Sequence, residues 1–297
     1  KIAEGCDKHC TYCVIPKVRG PYRSVPMESL LREAKELADQ GVKELILVAQ
    51  ETTVYGEDLY GQKALPELLE RLCRIEGLVW IRILYCYPEE IDDALIQVIR
   101  KEKKICHYLD IPVQHASDDV LKRMGRRTDR RELTAIVHKL RREIPDICLR
   151  TTLIAGFPGE TEADYEALLD FVEETAFDRL GVFTYSQEED TPAADMPDQI
   201  PDEVKQARCD ALMALQQEIA FDAAAGMEGR LVTAMIEGKV ADEDVYVART
   251  YKDAPDVDGF LFVQTGRELM TGDFVQVRIT GSHEYDLMGE LEDEFTE

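Results

Sequence analysis

The sequence predicts a partial, open α/β barrel followed by a small all-β barrel. Helix and strand patterns alternate from residue 26 to residue 185, and after Gly226 short β runs separated by Gly, Asp and Pro replace them. A full eight-stranded α/β barrel needs about 250 residues. Because residues 1–226 also include a terminal helix, we expect this barrel to be partial. The predicted domains are therefore 1–226, with its connecting helix, and 227–297.

The alternating elements follow from local periodicity. A helix is predicted over MESLLREAKELADQ, because Pro26 favours its first turn and Gly41 its end. The apolar run 44–51 follows as a strand. The pattern continues with helices over 65–75, 88–101, 117–124, 130–143 and 162–175, and with strands over 79–86, 107–113, 147–154 and 178–185. Ligands gather at the C-terminal ends of such strands, so the site is expected there.

The second half of the chain predicts a different architecture. Residues 187–204 are rich in Pro and acidic residues and indicate an exposed connection. A helix is predicted over 202–225, with Gly226 at its end. The small barrel is then expected from β runs over 230–236, 244–250, 257–264, 273–280 and 285–290.

Composition restricts the partners. The chain has 297 residues, with 35 Lys and Arg against 60 Asp and Glu, and a net charge of −25. This charge disfavours naked nucleic acid and favours a basic partner, a class that includes ribosomal proteins. No apolar run is long enough to suggest a membrane segment. Eight cysteines without a secretory signal indicate a reducing compartment, and we expect the cytoplasm.

Three of the cysteines form one short motif. Cys6, Cys10 and Cys13 make CxxxCxxC, whereas the other five lie singly elsewhere. Structural zinc sites use four ligands, and the nearest fourth ligand is His9, adjacent to Cys10. Three thiolates instead suit three irons of a 4Fe-4S cluster, whose fourth iron stays open to a small molecule. A zinc-binding interaction module remains the alternative.

Longer stretches carry a family resemblance. KIAEGCDKHCTYCVIPKVRGPYRS, VAQETTVYG, LDIPVQHASDDVLKRMGRRT and RTTLIAGFPGETEADY resemble the radical S-adenosylmethionine (SAM) methylthiotransferases, and 227–292 resembles their OB-like TRAM domain. The resemblance covers nearly the whole chain. It implies a radical SAM barrel in which an external donor supplies one electron and SAM is cleaved to a deoxyadenosyl radical.

The resemblance also indicates the substrate. YLDIPVQHAS, DMPDQIPDEV and HEYDLMG are similar to the members that methylthiolate the β-carbon of an aspartate in small-subunit ribosomal protein number twelve. Members that modify a tRNA adenosine are the alternative. Residues 227–297 hold six basic and seventeen acidic residues, which disfavours tRNA. We expect the ribosomal protein to dock on this acidic domain.

The site residues follow from the family pattern. It assigns the cluster to Cys6, Cys10 and Cys13, places Tyr12 beside the SAM adenine and implies no further catalytic residue. Polar side chains at strand ends are expected to contact SAM, with internal barrel hydrogen bonds as the alternative; these are Gln50, Gln114 and Arg150.

A glycine turn and a histidine follow the later strands. Gly156 is expected to let the backbone approach the adenosine closely, because it lacks a Cβ. Thr161 and Asp164 also indicate a capping box that begins the next helix. We expect His115 to be a buried histidine satisfied by a neighbour, without a catalytic role.

Finally, the resemblance implies a further N-terminal domain whose three cysteines hold a second 4Fe-4S cluster, where sulfur is assembled. That domain is missing from this sequence, which opens with Lys1. We therefore expect a fragment that holds one cluster and does not complete methylthiolation alone.

Overall fold

The computed structural model describes residues 1–292 and divides into two compact units, Lys1–Gln216 and Gln217–Glu297. The division falls inside a long helix, upstream of the domain boundary expected at 226/227, which stays a prediction. The strands of the first unit are β1 Ala3–Glu4, β2 Arg23–Ser24, β3 Glu44–Leu47, β4 Trp80–Ile83, β5 Ile105–Asp110, β6 Cys148–Ala155 and β7 Arg179–Thr184.

Helices alternate with these strands. They are α1 Ile15–Arg19, α2 Met27–Asp39, α3 Glu57–Tyr60, α4 Leu65–Cys73, α5 Asp93–Lys101, α6 Asp118–Arg123, α7 Arg130–Glu143, α8 Glu162–Thr175 and α9 Asp202–Ala225, with 3₁₀ turns at Pro88–Glu90 and Pro192–Asp195. Helices α4 and α5 each bury an apolar face whose residues recur at helical spacing, as in Leu65, Leu68, Leu69 and Leu72.

The five longer strands form one parallel sheet in the order β3-β4-β5-β6-β7. The order follows the chain and the sheet does not close. Strand β4 is buried throughout, as expected for a parallel sheet covered on both faces. The predicted partial α/β barrel is confirmed.

Several predicted bounds were wrong. Strand β3 ends at Leu47 rather than at residue 51. The helix expected over 88–101 begins only at Asp93, because the Asp92 carboxylate accepts a hydrogen bond from the Leu95 N–H at 2.9 Å and caps it. The antiparallel pair β1 and β2 and the helices α1 and α3 were not predicted.

The second unit contains the small barrel. Its strands are β8 Leu231–Lys239, β9 Val245–Thr250, β10 Leu261–Gln264, β11 Phe274–His283 and β12 Asp286–Leu291, closed in the order β10-β12-β11-β8-β9. The predicted all-β barrel is confirmed. The strand expected over 257–264 is shorter because the preceding residues form turns, in which Asp258 accepts a 2.8 Å hydrogen bond from the Ala254 N–H.

Alternate residues of these strands fill the barrel interior, including Val232, Ala234, Ile236, Val277 and Ile279. Within residues 1–292, no helix has the length and apolar character needed to cross a membrane.

Candidate functional site

The three motif cysteines lie on one loop, residues 5–14, between β1 and α1; we call it the cysteine loop. Cys6 and Cys10 are buried and Cys13 is half-buried. The Cys13 N–H donates to the Cys10 carbonyl at 3.1 Å, and the Cys6 N–H donates to the Gly20 carbonyl at 3.2 Å. The loop is therefore held by its own turns and by the segment after α1.

The start of the cysteine loop requires Gly5. This residue has φ +82°, and a Cβ on it would lie 2.2 Å from the Pro21 carbonyl oxygen. Its N–H donates to Gln50 Oε1 at 2.8 Å. Gln50, three residues after β3, thus fastens the cysteine loop to the sheet. This contact is an internal hydrogen bond, which was the alternative to a contact with SAM. The contact of Gln50 with SAM stays a prediction.

The middle of the cysteine loop is held by distant segments. Thr11 donates its N–H to the Met124 carbonyl at 3.0 Å and its hydroxyl to the Arg123 carbonyl at 2.8 Å. Lys8 forms ion pairs with Glu90 and, at 3.7 Å, with Glu89. The loop is therefore anchored to the turn after β4 and to the end of α6.

Two side chains that the sequence did not indicate contact Cys10. The Tyr87 hydroxyl lies 3.3 Å from Cys10 Sγ, and Arg126 Nη1 donates to the same sulfur at 3.9 Å. The Arg126 guanidinium also lies over the Tyr87 ring, 4.2 Å from its centroid. We call Cys10, Tyr87 and Arg126 the Cys10 contact group.

The thiols lie in each other's electrostatic fields. Burial raises the pKa of Cys6, and the neighbouring Cys10 and Cys13 add to this shift. Burial likewise raises the pKa of Cys13, with a further contribution from Cys10. Burial therefore favours the protonated thiols of Cys6 and Cys13, and a metal would displace these protons on binding.

The donor set fits a cluster better than a single ion. Among residues 1–292, no three His, Cys, Asp or Glu side chains are placed to hold one metal ion. In a 4Fe-4S cluster each thiolate binds a different iron, so convergence on one point is not required. His9, the candidate fourth zinc ligand, is exposed.

Arg126 adds an electrostatic argument. Its side chain is buried, its Nε has no hydrogen-bond partner, and it forms no ion pair with any carboxylate of the described chain. A buried cation without an anion is costly. An anionic group bound to Cys6, Cys10 and Cys13 would compensate this charge.

The predicted SAM contacts occupy different environments. Gln114 has φ +71°, and its backbone bridges to β6 through hydrogen bonds with Thr152 and Ile154 at 2.9 and 2.8 Å. The Gln114 side chain makes no hydrogen bond within the part of the chain that the structure describes. Arg150 pairs with Asp110 on the neighbouring strand, Nη1 to Oδ1 at 3.4 Å.

Tyr12 and Gly156 flank Phe157. Tyr12 packs edge-on against the Phe157 ring, with centroids 6.4 Å apart. Gly156 has φ +75°, and a Cβ on it would lie 2.3 Å from Lys205 Cγ. The space that a side chain would fill is thus taken by Lys205 of α9, so packing within the protein already requires glycine here. The roles of Tyr12 and Gly156 toward SAM stay predictions.

Two structural expectations are confirmed. Thr161 and Asp164 form the capping box at the start of α8, each side chain bonding the other residue's N–H. His115 is buried, accepts a 3.0 Å hydrogen bond from the Ser117 N–H and lies 3.2 Å from Glu160. This histidine is satisfied by its neighbours.

Comparison with family models gives two matches. Residues 1–172 match the radical SAM superfamily, and residues 229–291 match the TRAM domain. Among solved structures, the chain resembles the radical SAM methyltransferase TsrM from Kitasatospora setae, with TM-score 0.51, 19% identity, and 65% and 37% of the two chains covered. It also resembles coproporphyrinogen III oxidase HemN from Escherichia coli, with TM-score 0.50, 19% identity and coverages of 85% and 60%. At these identities the likeness shows the fold alone.

Curated relatives are much more similar. The ribosomal protein uS12 methylthiotransferase RimO of Lachnoclostridium phytofermentans is 65% identical over 98% of this chain and 66% of the relative. The RimO of Desulfitobacterium hafniense is 52% identical over 98% of this chain and 65% of the relative. The chain thus spans about two thirds of the length of these relatives.

Proposed function

Because this chain belongs to the radical SAM superfamily, within its RimO methylthiotransferase group, we propose that it generates the radical with which a methylthio group is added to ribosomal protein uS12. The substrate position follows from the resemblance, which points to the β-carbon of an aspartate. One observation carries the proposal: three cysteines lie on one anchored loop, and the buried guanidinium of Arg126 contacts the sulfur of one of them, Cys10.

Cys6, Cys10 and Cys13 are the ligands in this proposal, each binding one iron of a 4Fe-4S cluster. Held by these cysteines, a cluster would supply the single electron that cleaves SAM and so the radical chemistry of the reaction. The chain's own residues fix the ligands: Gln50 and Thr11 anchor the cysteine loop at its two sides. We assign one cluster to residues 1–292, and the resemblance assigns the second to a further domain.

Among the proposed SAM contacts, Gln114 has the strongest support. Its side chain makes no hydrogen bond within residues 1–292, whereas those of Gln50 and Arg150 already bond Gly5 and Asp110. The other proposed SAM contacts are Tyr12, Gln50, Arg150 and Gly156. We expect Gln114→Ala to weaken SAM binding about tenfold, the loss of a hydrogen bond worth roughly 1.4 kcal/mol. Calorimetric titration of the reconstituted enzyme measures this, and unchanged affinity would exclude Gln114 from the site.

The proposed radical generation is tested by anaerobic reconstitution of the 297-residue chain with iron and sulfide. After addition of SAM and dithionite, deoxyadenosine is measured. We expect the product from wild type and from Cys73→Ala, a control cysteine on α4 outside the motif, and none from Cys10→Ala. Failure of the wild type to bind a 4Fe-4S cluster, or stoichiometric zinc instead, would overturn the proposal in favour of an interaction module.

We further propose that uS12 docks on the acidic second unit in the cytoplasm, where an external donor reduces the enzyme. Residues 227–297 carry seventeen acidic against six basic residues, and Asp242, Glu243 and Asp244 are exposed in the turn after β8. Ribosomal proteins are a basic class, so opposite charges favour association.

Charge reversal tests the docking site. The triple change Asp242→Lys, Glu243→Lys and Asp244→Lys should weaken uS12 binding about tenfold at low salt, with a smaller effect at high salt because ions screen exposed charges. The triple change Glu166→Lys, Asp170→Lys and Glu173→Lys, at exposed positions of α8 in the first unit, is the control with the same change in net charge. Equal affinity of the triple variant and wild type at low salt would refute docking at this turn.

A further inference from the structure

In the Cys10 contact group, two polar side chains lie within hydrogen-bond distance of one sulfur. The Tyr87 hydroxyl is 3.3 Å and Arg126 Nη1 3.9 Å from Cys10 Sγ. We infer that these two side chains set the reduction potential of the cluster bound at Cys10, with Arg126 as the main determinant. The inference rests on the proposed function, because it requires a 4Fe-4S cluster at this loop.

Arg126 is fixed in position by the protein. Its Nη2 donates to the Pro112 carbonyl at 2.8 Å, and its guanidinium lies over the Tyr87 ring at 4.2 Å. Only 8% of the residue is exposed. The charge therefore cannot turn toward solvent without breaking these contacts.

Glu89 acts on this charge through its electrostatic field, but it does not contact the guanidinium. Within residues 1–292 no carboxylate forms an ion pair with Arg126, whereas Lys8, on the same loop as Cys10, is paired with Glu89 and Glu90. A positive charge in a medium of low dielectric acts strongly on its neighbours. Cys10 Sγ, 3.9 Å from Arg126 Nη1, is the motif sulfur that this charge contacts.

The direction of the effect follows from charge. Reduction adds one electron to the cluster, and a fixed cation together with hydrogen bonds to sulfur stabilises the more negative state. Arg126 and Tyr87 therefore raise the reduction potential. A weaker external reductant then suffices to load the electron that is passed to SAM.

A structural role for Arg126 is the alternative, since its bond to Pro112 ties the turn after α6 to the end of β5. Loss of such a tie would change iron content or unfolding but would leave the potential of the assembled cluster unchanged. The potential therefore separates the two roles.

The experiment is a redox titration of the reconstituted 297-residue chain, to which one cluster is assigned, with dithionite as reductant and electron paramagnetic resonance as readout. At the wild-type midpoint, Arg126→Met should lower the reduced-to-oxidised ratio about tenfold, which is 59 mV for a one-electron couple. Arg126→Lys, which keeps the charge, should restore most of the ratio. Tyr87→Phe, which keeps the ring, should lower it about threefold. Arg131→Met is the matched control, because this arginine of α7 has an exposed side chain.

An Arg126→Met midpoint equal to that of wild type, with full iron content, would overturn the inference. If Arg126→Met fails to assemble its cluster, the reduction potentials of Arg126→Gln and Tyr87→Phe are measured instead. Midpoints equal to that of wild type in both variants would also overturn the inference. If the wild type forms no cluster, the proposed function fails instead. The two failures are thus distinguishable.

Discussion

The His115 imidazole and the Glu160 carboxylate lie 3.2 Å apart, Nε2 to Oε2, with both side chains fully buried. The same Oε2 accepts a hydrogen bond from the Gly156 N–H at 2.9 Å, and Oε1 accepts one from Arg208 Nη1 at 2.7 Å. One carboxylate thus connects the segment after β5, the glycine turn after β6 and helix α9. It orders the turn at which Gly156 is proposed to meet SAM.

Removal of this carboxylate should be costly. Glu160→Ala leaves the buried Arg208 with the solvent-exposed Glu162 as its carboxylate partner, so we expect the free energy of unfolding to fall by about 3–5 kcal/mol. Urea unfolding followed by circular dichroism measures the change. The control is Glu162→Ala, which removes a 3.0 Å bond to the same arginine from a side chain that is 71% exposed and should cost under about 1 kcal/mol. Similar losses in both variants would contradict the role given to Glu160.

The cysteine loop should depend on Gly5. Gly5→Ala adds a Cβ 2.2 Å from the Pro21 carbonyl oxygen at a position with φ +82°, so the loop must shift. We expect the variant to retain less than about half of the wild-type iron and sulfide after reconstitution, because a misplacement of about 1 Å already weakens a metal site. Iron and sulfide assays measure this. Gly41→Ala is the control, since Gly41 also has a positive φ, +95°, but no atom lies within 4 Å of an added Cβ. Full iron and sulfide content in Gly5→Ala would contradict the need for glycine at this position.

The parts of this molecule that follow from local patterns were predictable. Helical and strand periodicities identified the five parallel strands, because each pattern repeats within a single element. The three cysteines were found because they lie within eight consecutive residues. The capping box at Thr161 and Asp164 likewise depends on a spacing of three residues.

The rest depended on contacts between distant residues. Tyr87 and Arg126 are 77 and 116 positions from Cys10, and neither lies in a motif that indicates a sulfur neighbour. Strands β1 and β2 have two residues each, which is too short to show alternation. Gly156 was noted for its missing Cβ, but only the fold shows that Lys205 takes that space.

The capping box at α8 should make stability depend on pH. Burial alone would raise the pKa of Asp164, but hydrogen bonds from Ser117 and Thr161 outweigh it, so the folded pKa lies below the ordinary value. The carboxylate therefore contributes stability above about pH 4, and this contribution is lost as the pH falls further. We expect Asp164→Asn to cost about 1 kcal/mol at pH 7 and progressively less below pH 4.

Urea unfolding at pH 7, 5 and 3 measures this difference. Asp170→Asn, at an exposed position of the same helix, is the control and should show little change at any pH. A cost of Asp164→Asn that stays constant from pH 7 to pH 3 would show that the ionised carboxylate is not the stabilising form.

In the small barrel, Gly289 of β12 lies against its neighbouring strand. A Cβ at this position would lie 2.5 Å from Val277 Cγ1 and 2.8 Å from the Arg278 carbonyl oxygen. Gly289→Ala should therefore lower the free energy of unfolding by about 1–3 kcal/mol, because backbone atoms of β11 must move. Gly238→Ala in β8 is the control, since a Cβ there meets nothing within 4 Å. Thermal unfolding measures the stability of both variants. Equal melting temperatures would show that β11 moves away from the added Cβ without a loss of stability.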